Sequence, residues 1–190
     1  KDIVKILLDK GADVNVDHKG VDTALSEAHI GGNKDIVKML LDKGADVNIQ
    51  YSFGHTILMH ESERGDKEIV KMLLDKGADV NVKDRWGTNA LIRAIIKGYK
   101  EIVEILIDKG ADVNATSNDG DTALIEAYIK GDKNIVKMLL DKGADINIQD
   151  SFGHTILMLA SERGDKEILE MLKEAGPNKL NRKIEIVSSD

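Results

Sequence analysis

A five-residue phrase, Gly-Ala-Asp followed by Val or Ile and then Asn, occurs five times at an invariant spacing of 33 residues. It begins at Gly11, Gly44, Gly77, Gly110 and Gly143, with no insertion or deletion between copies. A fixed period of this length requires one supersecondary unit stacked on copies of itself, because so short a unit cannot bury an apolar face alone. The period therefore sets the class of fold and directs function toward extended surfaces rather than enclosed pockets.

One period, read over residues 84–109, shows what the unit is. Asp84-Arg85-Trp86-Gly87 has the acidic start and glycine end of a turn. Residues 88–97 predict a short apolar-rich helix stopped by Gly98. Over residues 100–107, Ile102, Val103, Leu106 and Ile107 share one helical face, which predicts a second helix. Lys109 and Gly110 give that helix a basic last turn and a glycine stop. Asp66, Asp132 and Asp165 directly follow Gly65, Gly131 and Gly164, where a carboxylate accepts the free N–H groups of a first turn. Asn33 is expected to do the same after Gly32, and Tyr99 after Gly98 is not. Each unit thus reads turn, helix, turn, helix, loop. Neither helix is long enough to be stable alone in water. Stability must come from stacking, each buried aliphatic contributing about 1.5–3 kcal/mol.

These units resemble the ankyrin repeat family over residues 1–176. The resemblance is carried by Gly-x-Thr-x-Leu (Gly54 to Leu58, Gly120 to Leu124, Gly153 to Leu157), by Gly-x-x-Glu-Ile-Val (Gly65 to Val70, Gly98 to Val103), and by Leu-Leu-x-x-Gly-Ala-Asp-Val-Asn (Leu40 to Asn48). The family's usual proline after the threonine is replaced by Ala24, Ile57, Ala90, Ala123 and Ile156, all compatible with a helix. Asn89 stands once for the threonine. Gly20 lies one position early, with Val21 in the glycine slot, so the first turn is expected to be distorted. The resemblance implies an all-α solenoid: a leading half repeat at 1–17, then repeats at about 18–50, 51–83, 84–116, 117–149 and 150–176, then a tail at 177–190. It also implies that partners bind at the hairpin tips and on the face of the first helices.

Composition narrows the function classes. With 42% hydrophobic and 32% charged residues in 190, the chain suits one water-soluble array. It has no run of 18 apolar residues for a membrane span and no secretory leader pattern. Zero cysteines exclude disulfides and zinc–thiolate sites and fit a reducing compartment. A cytoplasmic location is expected, with secretion by a non-classical route as the alternative. The net charge of −7 is spread as interleaved acids and bases, without the basic stripe nucleic acid requires. A protein partner, one with a basic surface, is the expectation, with no membrane contact, no cofactor and a monomeric chain.

The ends are unequal. The chain starts inside a unit, on a second helix without its first, which reads as a fragment of a longer array. At the other end Lys173 replaces the aliphatic found at Leu41, Leu74, Ile107 and Leu140, and Glu170, Lys173 and Glu174 make a polar outer face expected to cap the array. Pro177 ends the pattern, and the tail has one apolar stretch at 184–187. A longer period overlies the short one: residues 22–67 match 121–166 at 37 of 46 positions. Three units read as duplicated together, which predicts two similar surfaces three repeats apart.

Specificity must lie where the copies differ. Phe53, Trp86 and Phe152 occupy one slot, two residues after the turn's first position, and are the chain's only Phe and Trp residues. A core would use its large aromatics inside, and here they fall on the predicted rim beside Tyr51, His55, Arg85 and His154. Exposed aromatics with arginine are typical binding anchors. The competing expectation is that each ring packs on the neighbouring tip and stiffens the rim. Ile30, Ile96 and Ile129 share a slot on the first-helix face, with packing between repeats as the favoured role and an apolar groove at Ile96 and Ile129 as the functional one. His60-Glu61 stands where the later copy has Leu159-Ala160, and the other repeats have alanine at the second place. Glu61 is expected to cost stability unless it tilts out or pairs with His60, Arg64 or Arg93, so Glu61→Ala is expected to raise the melting temperature. His55, His60 and Glu61 lack a metal-site spacing, and no metal is expected. Catalysis has no candidate residues: there is no Cys nucleophile, no Gly-x-Ser-x-Gly and no phosphate-binding glycine loop. The function read from the sequence is non-catalytic protein–protein recognition. A spacer without its own partner is the alternative, with an enzyme or metal binder third.

Overall fold

The structure, a computed structural model, describes residues 1–16 and 23–175. Its helices are α1 (Asp2–Asp9), α2 (Ala24–Ile30), α3 (Lys34–Asp42), α4 (Ile57–Arg64), α5 (Lys67–Asp75), α6 (Ala90–Lys97), α7 (Lys100–Asp108), α8 (Ala123–Ile129), α9 (Lys133–Asp141) and α10 (Ile156–Arg163). Residues 166–175 are helical again. Each repeat contributes one helix to each of two layers. In the first layer α4 packs on α6, α6 on α8 and α8 on α10, and in the second α3 packs on α5, α5 on α7 and α7 on α9. Among the described residues there is no strand, only an isolated bridge between Thr116 and Thr122. The core lies between the layers, where Leu40, Ile57, Leu73, Leu91, Leu106 and Leu139 are fully buried.

The threonine of the Gly-x-Thr-x-Leu motif is a helix cap. Oxygens of Thr56, Asn89, Thr122 and Thr155 accept the N–H three residues on, at 3.3, 3.0, 3.0 and 3.3 Å. That places the start of α6 at Ala90 rather than Thr88: Asn89 is spent on the cap. Asp66, Asp132 and Asp165 cap the second helices as expected, accepting from Ile69, Ile135 and Ile168. Asn33 departs from expectation, since its side chain makes no cap bond.

The recurring phrase has a mechanical reason for recurring. Its glycines adopt φ of 85 to 91°, a left-handed position that a Cβ would strain. Its asparagines tie neighbouring repeats together. Asn48 donates Nδ2 to the Gly77 carbonyl at 3.1 Å and accepts the Asp79 N–H at 2.8 Å, and Asn81 repeats this with Gly110 and Asp112. The interleaved charges have a place too. Lys109 meets Asp75 at 2.6 Å and Lys142 meets Asp108 at 2.8 Å across adjacent second-layer helices. These pairs are exposed to solvent, so screening leaves them a small part in stability.

The array's polar end is partial. On the second-layer helix Lys173 and Glu170, two of the residues expected to make the outer face polar, pair at 2.7 Å. In the first layer, however, α10 leaves Leu157 and Met158 48% and 47% exposed, whereas their counterparts Leu58 and Met59 are 1% exposed under α6. At the opposite end α1 exposes Ile3, Ile6 and Leu7. The turn around Gly20 and Val21 and the tail at 177–190 lie outside the described residues.

Candidate functional site

Successive hairpin tips form one continuous rim. Arg85 N–H donates to the Phe53 carbonyl at 2.8 Å, Asn118 N–H to Trp86 at 2.8 Å, and Ser151 N–H to Asp119 at 3.1 Å. Within a tip, an aspartate at the first position organises the turn. Asp84 Oδ1 accepts the N–H groups of Trp86 and Thr88 at 2.8 and 3.0 Å, and Asp150 Oδ1 those of Phe152 and His154 at 2.9 and 2.8 Å. Tyr51 occupies that position in the second repeat and carries no carboxylate. There the turn tightens to a single 3-10 turn, Ser52–Gly54, and Phe53 takes φ 68° and ψ 16°. Phe53 is the one non-glycine residue at positive φ among the described residues. A bulky side chain pays strain in that region, and such strain collects at sites where the side chain's direction matters. Tyr51 itself turns inward: its hydroxyl is buried without a partner, and burial pushes it well above the usual phenol range.

The rim aromatics divide into two arrangements. Phe53 and Trp86 are 55% and 48% exposed, with centroids 5.6 Å apart. The Arg85 guanidinium lies over both rings, 4.9 Å from Phe53 and 5.5 Å from Trp86. His55 also packs against Trp86, tilted, at 5.5 Å. Among the described residues Phe152, 82% exposed, meets only His154 of its own turn, at 6.2 Å, while His154 Nδ1 lies 3.3 Å from Asp150. Packing on a neighbouring tip, among the described residues, therefore describes Phe53 and Trp86 and does not describe Phe152.

Beneath the aromatic pair, Arg93 on α6 joins two repeats. Its Nη1 donates to Glu63 at 2.7 Å, and its Nη2 to Asp84 at 2.6 Å and to His55 Nε2 at 2.8 Å. An arginine N–H can only donate, so His55 Nε2 accepts. Asp84 has no exposed side-chain surface, and its pull from Arg93 and the turn N–H groups outweighs burial and holds the carboxyl below the usual range. Next to this hub is a shallow depression of about 180 Å³ lined by Glu63, Trp86, Thr88, Arg93, Ile96 and Lys97. Ile96 is half-buried in it, while Ile30 and Ile129 are 73% and 48% exposed. Packing between repeats, the role the sequence favoured for these isoleucines, does not hold for Ile30 and Ile129.

One repeat further along, Asp121 and Glu126 form a second group of carboxylates, with Lys130 near Glu126 offsetting only part of the effect of its surroundings. Burial raises both carboxyls above their usual range, with Asp150 and Asp119 adding to the effect at Asp121 and Asp121 at Glu126. The rim thus has a cationic aromatic part around Arg85 and an acidic part around Asp121.

Glu61 does not tilt out, and its partner is none of those expected from the sequence. It is buried on α4, and its Oε1 accepts from His29 Nδ1 of α2 at 2.6 Å, both residues 5% exposed. The sequence signal was a second misfit 32 residues earlier: His29 stands where the later copy has Tyr128. The expectation that Glu61→Ala stabilises is reversed by this pair, since it would strand a buried imidazole. The His60 ring contacts those of His29, tilted at 5.3 Å, and His55, edge-on at 5.2 Å. Among the described residues no three His, Asp or Glu side chains converge as metal ligands.

The ankyrin repeat family model matches the chain in three copies, over residues 1–51, 31–117 and 115–183. The chain belongs to the ankyrin repeat family. No curated protein matches it. Ankyrin repeats are, as a family, protein–protein interaction modules, and among the described residues no helix is long and apolar enough to cross a membrane.

Proposed function

We propose that this ankyrin array is a non-catalytic recognition module that docks a protein partner on its hairpin tips and on the first-helix face behind them. The observation that carries this reading is the exposure of Phe53, Trp86 and Phe152. All of the chain's Phe and Trp residues fall in one solvent-facing slot, while the core between the layers is mainly aliphatic. A rigid rim loses little entropy on binding, and the tip-to-tip hydrogen bonds supply that rigidity. The basic partner surface expected from net charge finds its support at Asp119, Asp121 and Glu126. The reading takes the array as a monomer in a reducing compartment such as the cytoplasm.

The test is a triple Phe53→Ala, Trp86→Ala and Phe152→Ala variant. The reading expects it to lose the proteins that the wild-type chain retains from a lysate while keeping its helical circular-dichroism spectrum. Equal retention by the folded triple variant would favour a spacer or another surface.

A further inference from the structure

Among the described residues, the Arg85 guanidinium is the strong donor group of this rim that has no acceptor. Its neighbour Asp84 is fully buried and committed to Arg93. Glu63, the next carboxylate on that face, is held by Arg93 at 2.7 Å and Lys97 at 3.3 Å. Among the described residues no carboxylate reaches Arg85. Its plane instead rests on two aromatic faces, which fixes its direction and leaves its N–H groups toward solvent. A guanidinium so held presents a fork that matches a carboxylate in geometry as well as charge. The second of these rings belongs to Phe53, the residue in the left-handed backbone region. The adjoining depression, floored by Ile96 and walled by Trp86, is smaller than the roughly 300–1,000 Å³ of small-molecule sites, and it suits one apolar side chain of a peptide.

We infer that the Phe53–Arg85–Trp86 tip, with the Ile96 depression beside it, is a seat for an acidic segment of a partner protein: an Asp or Glu carboxylate on Arg85 and a neighbouring apolar side chain against Trp86 and Ile96. The inference rests on the recognition reading above and deepens it. Together with the acidic part of the rim at Asp121 and Glu126, it gives the bound segment a direction, its acidic end over the second and third repeats and its basic end over the fourth.

A displayed random-peptide library, selected against the whole immobilised chain, tests this. Wild type should enrich peptides with Asp or Glu beside Leu, Met or an aromatic residue. The top peptide, made as Glu and Gln versions, should bind wild type at least about tenfold more tightly as Glu. Arg85→Gln should erase that preference, and Arg85→Lys should restore only part of it, because lysine keeps the charge and loses the stacked fork. Arg85 is exposed, so both variants should keep the wild-type melting temperature. A Glu preference that persists in Arg85→Gln, or enrichment of Lys and Arg in the residues that Trp86→Ala releases, overturns the inference while leaving rim docking intact. Enriched peptides whose binding is indifferent to Phe53→Ala and Trp86→Ala overturn rim docking itself.

Discussion

Residues 22–67 and 121–166 are two drafts of one surface, and they solve the same packing problem differently. In the first, His29 and Glu61 fill the space between α2 and α4 with a buried polar pair. In the second, Tyr128 and Ala160 fill the matching space between α8 and α10: the Tyr128 hydroxyl donates to the Leu159 carbonyl at 3.3 Å, and Arg163 lies 5.1 Å above the ring. A large ring beside a small residue, or a smaller ring beside a long carboxylate, closes the gap. The lesson is that Glu61 is half of a compensated exchange rather than a tolerated defect. A buried pair is sensitive to loss of one member and indifferent to replacement of both.

The largest effect expected follows from this. Glu61→Ala alone should lower stability by about 3 kcal/mol, because it strands His29 in a dry site. Adding His29→Tyr imports the second solution and should recover most of that loss in chemical denaturation. Additive losses in the double variant would show that the two positions are not exchanged as a unit.

The tips give the next contrast. Trp86 touches Phe53, His55 and Arg85, so Trp86→Ala should cost about 1–2 kcal/mol. Among the described residues Phe152 leans only on His154, so Phe152→Ala should stay within about 0.5 kcal/mol of wild type. Equal costs would mean that the clasp at the first tip contributes nothing beyond its exposed area.

The smallest effect separates the copies by pH. Burial, followed by His29, His55 and Arg93, holds the His60 imidazole below its ordinary value of 6.5. The unfolded chain then takes up this proton at higher pH than the folded chain does. The stability His60 contributes is whole above about pH 6.5 and is lost as pH falls through the folded value. Carboxyls held low, such as Asp66 and Asp84, act only below the ordinary aspartate value of 3.8. Thermal melts between pH 7 and 5 should therefore fall less steeply in His60→Leu, which carries the residue the second copy has at Leu159. An unchanged slope would remove His60 from the account.

How much of this was legible in the chain follows from what each residue contacts. The helices, their caps at Asp66, Asp132 and Asp165, and the rim placement of Phe53, Trp86 and Phe152 depend on neighbours a fixed number of residues away, which a period displays. The Glu61–His29 bond, the Arg93 hub and the left-handed Phe53 depend on side chains that each occur once, in different repeats, and periodicity averages such residues out. Tyr51 shows the cost. Its slot marked it as a rim residue, yet the ring goes inward, and what it changes is the turn from which its carboxylate is missing. Comparing the two long copies position by position would have exposed His29 and Glu61 together, since both change between them.

Trp86 is the chain's sole tryptophan, so its emission reports on the proposed seat without a label. Titrating the whole chain with the acidic peptide selected above should shift that emission to the blue along a saturable curve, with a midpoint matching the affinity measured by calorimetry. Calorimetric binding of the same peptide with Trp86 emission unmoved would place recognition elsewhere on the array and contradict the account.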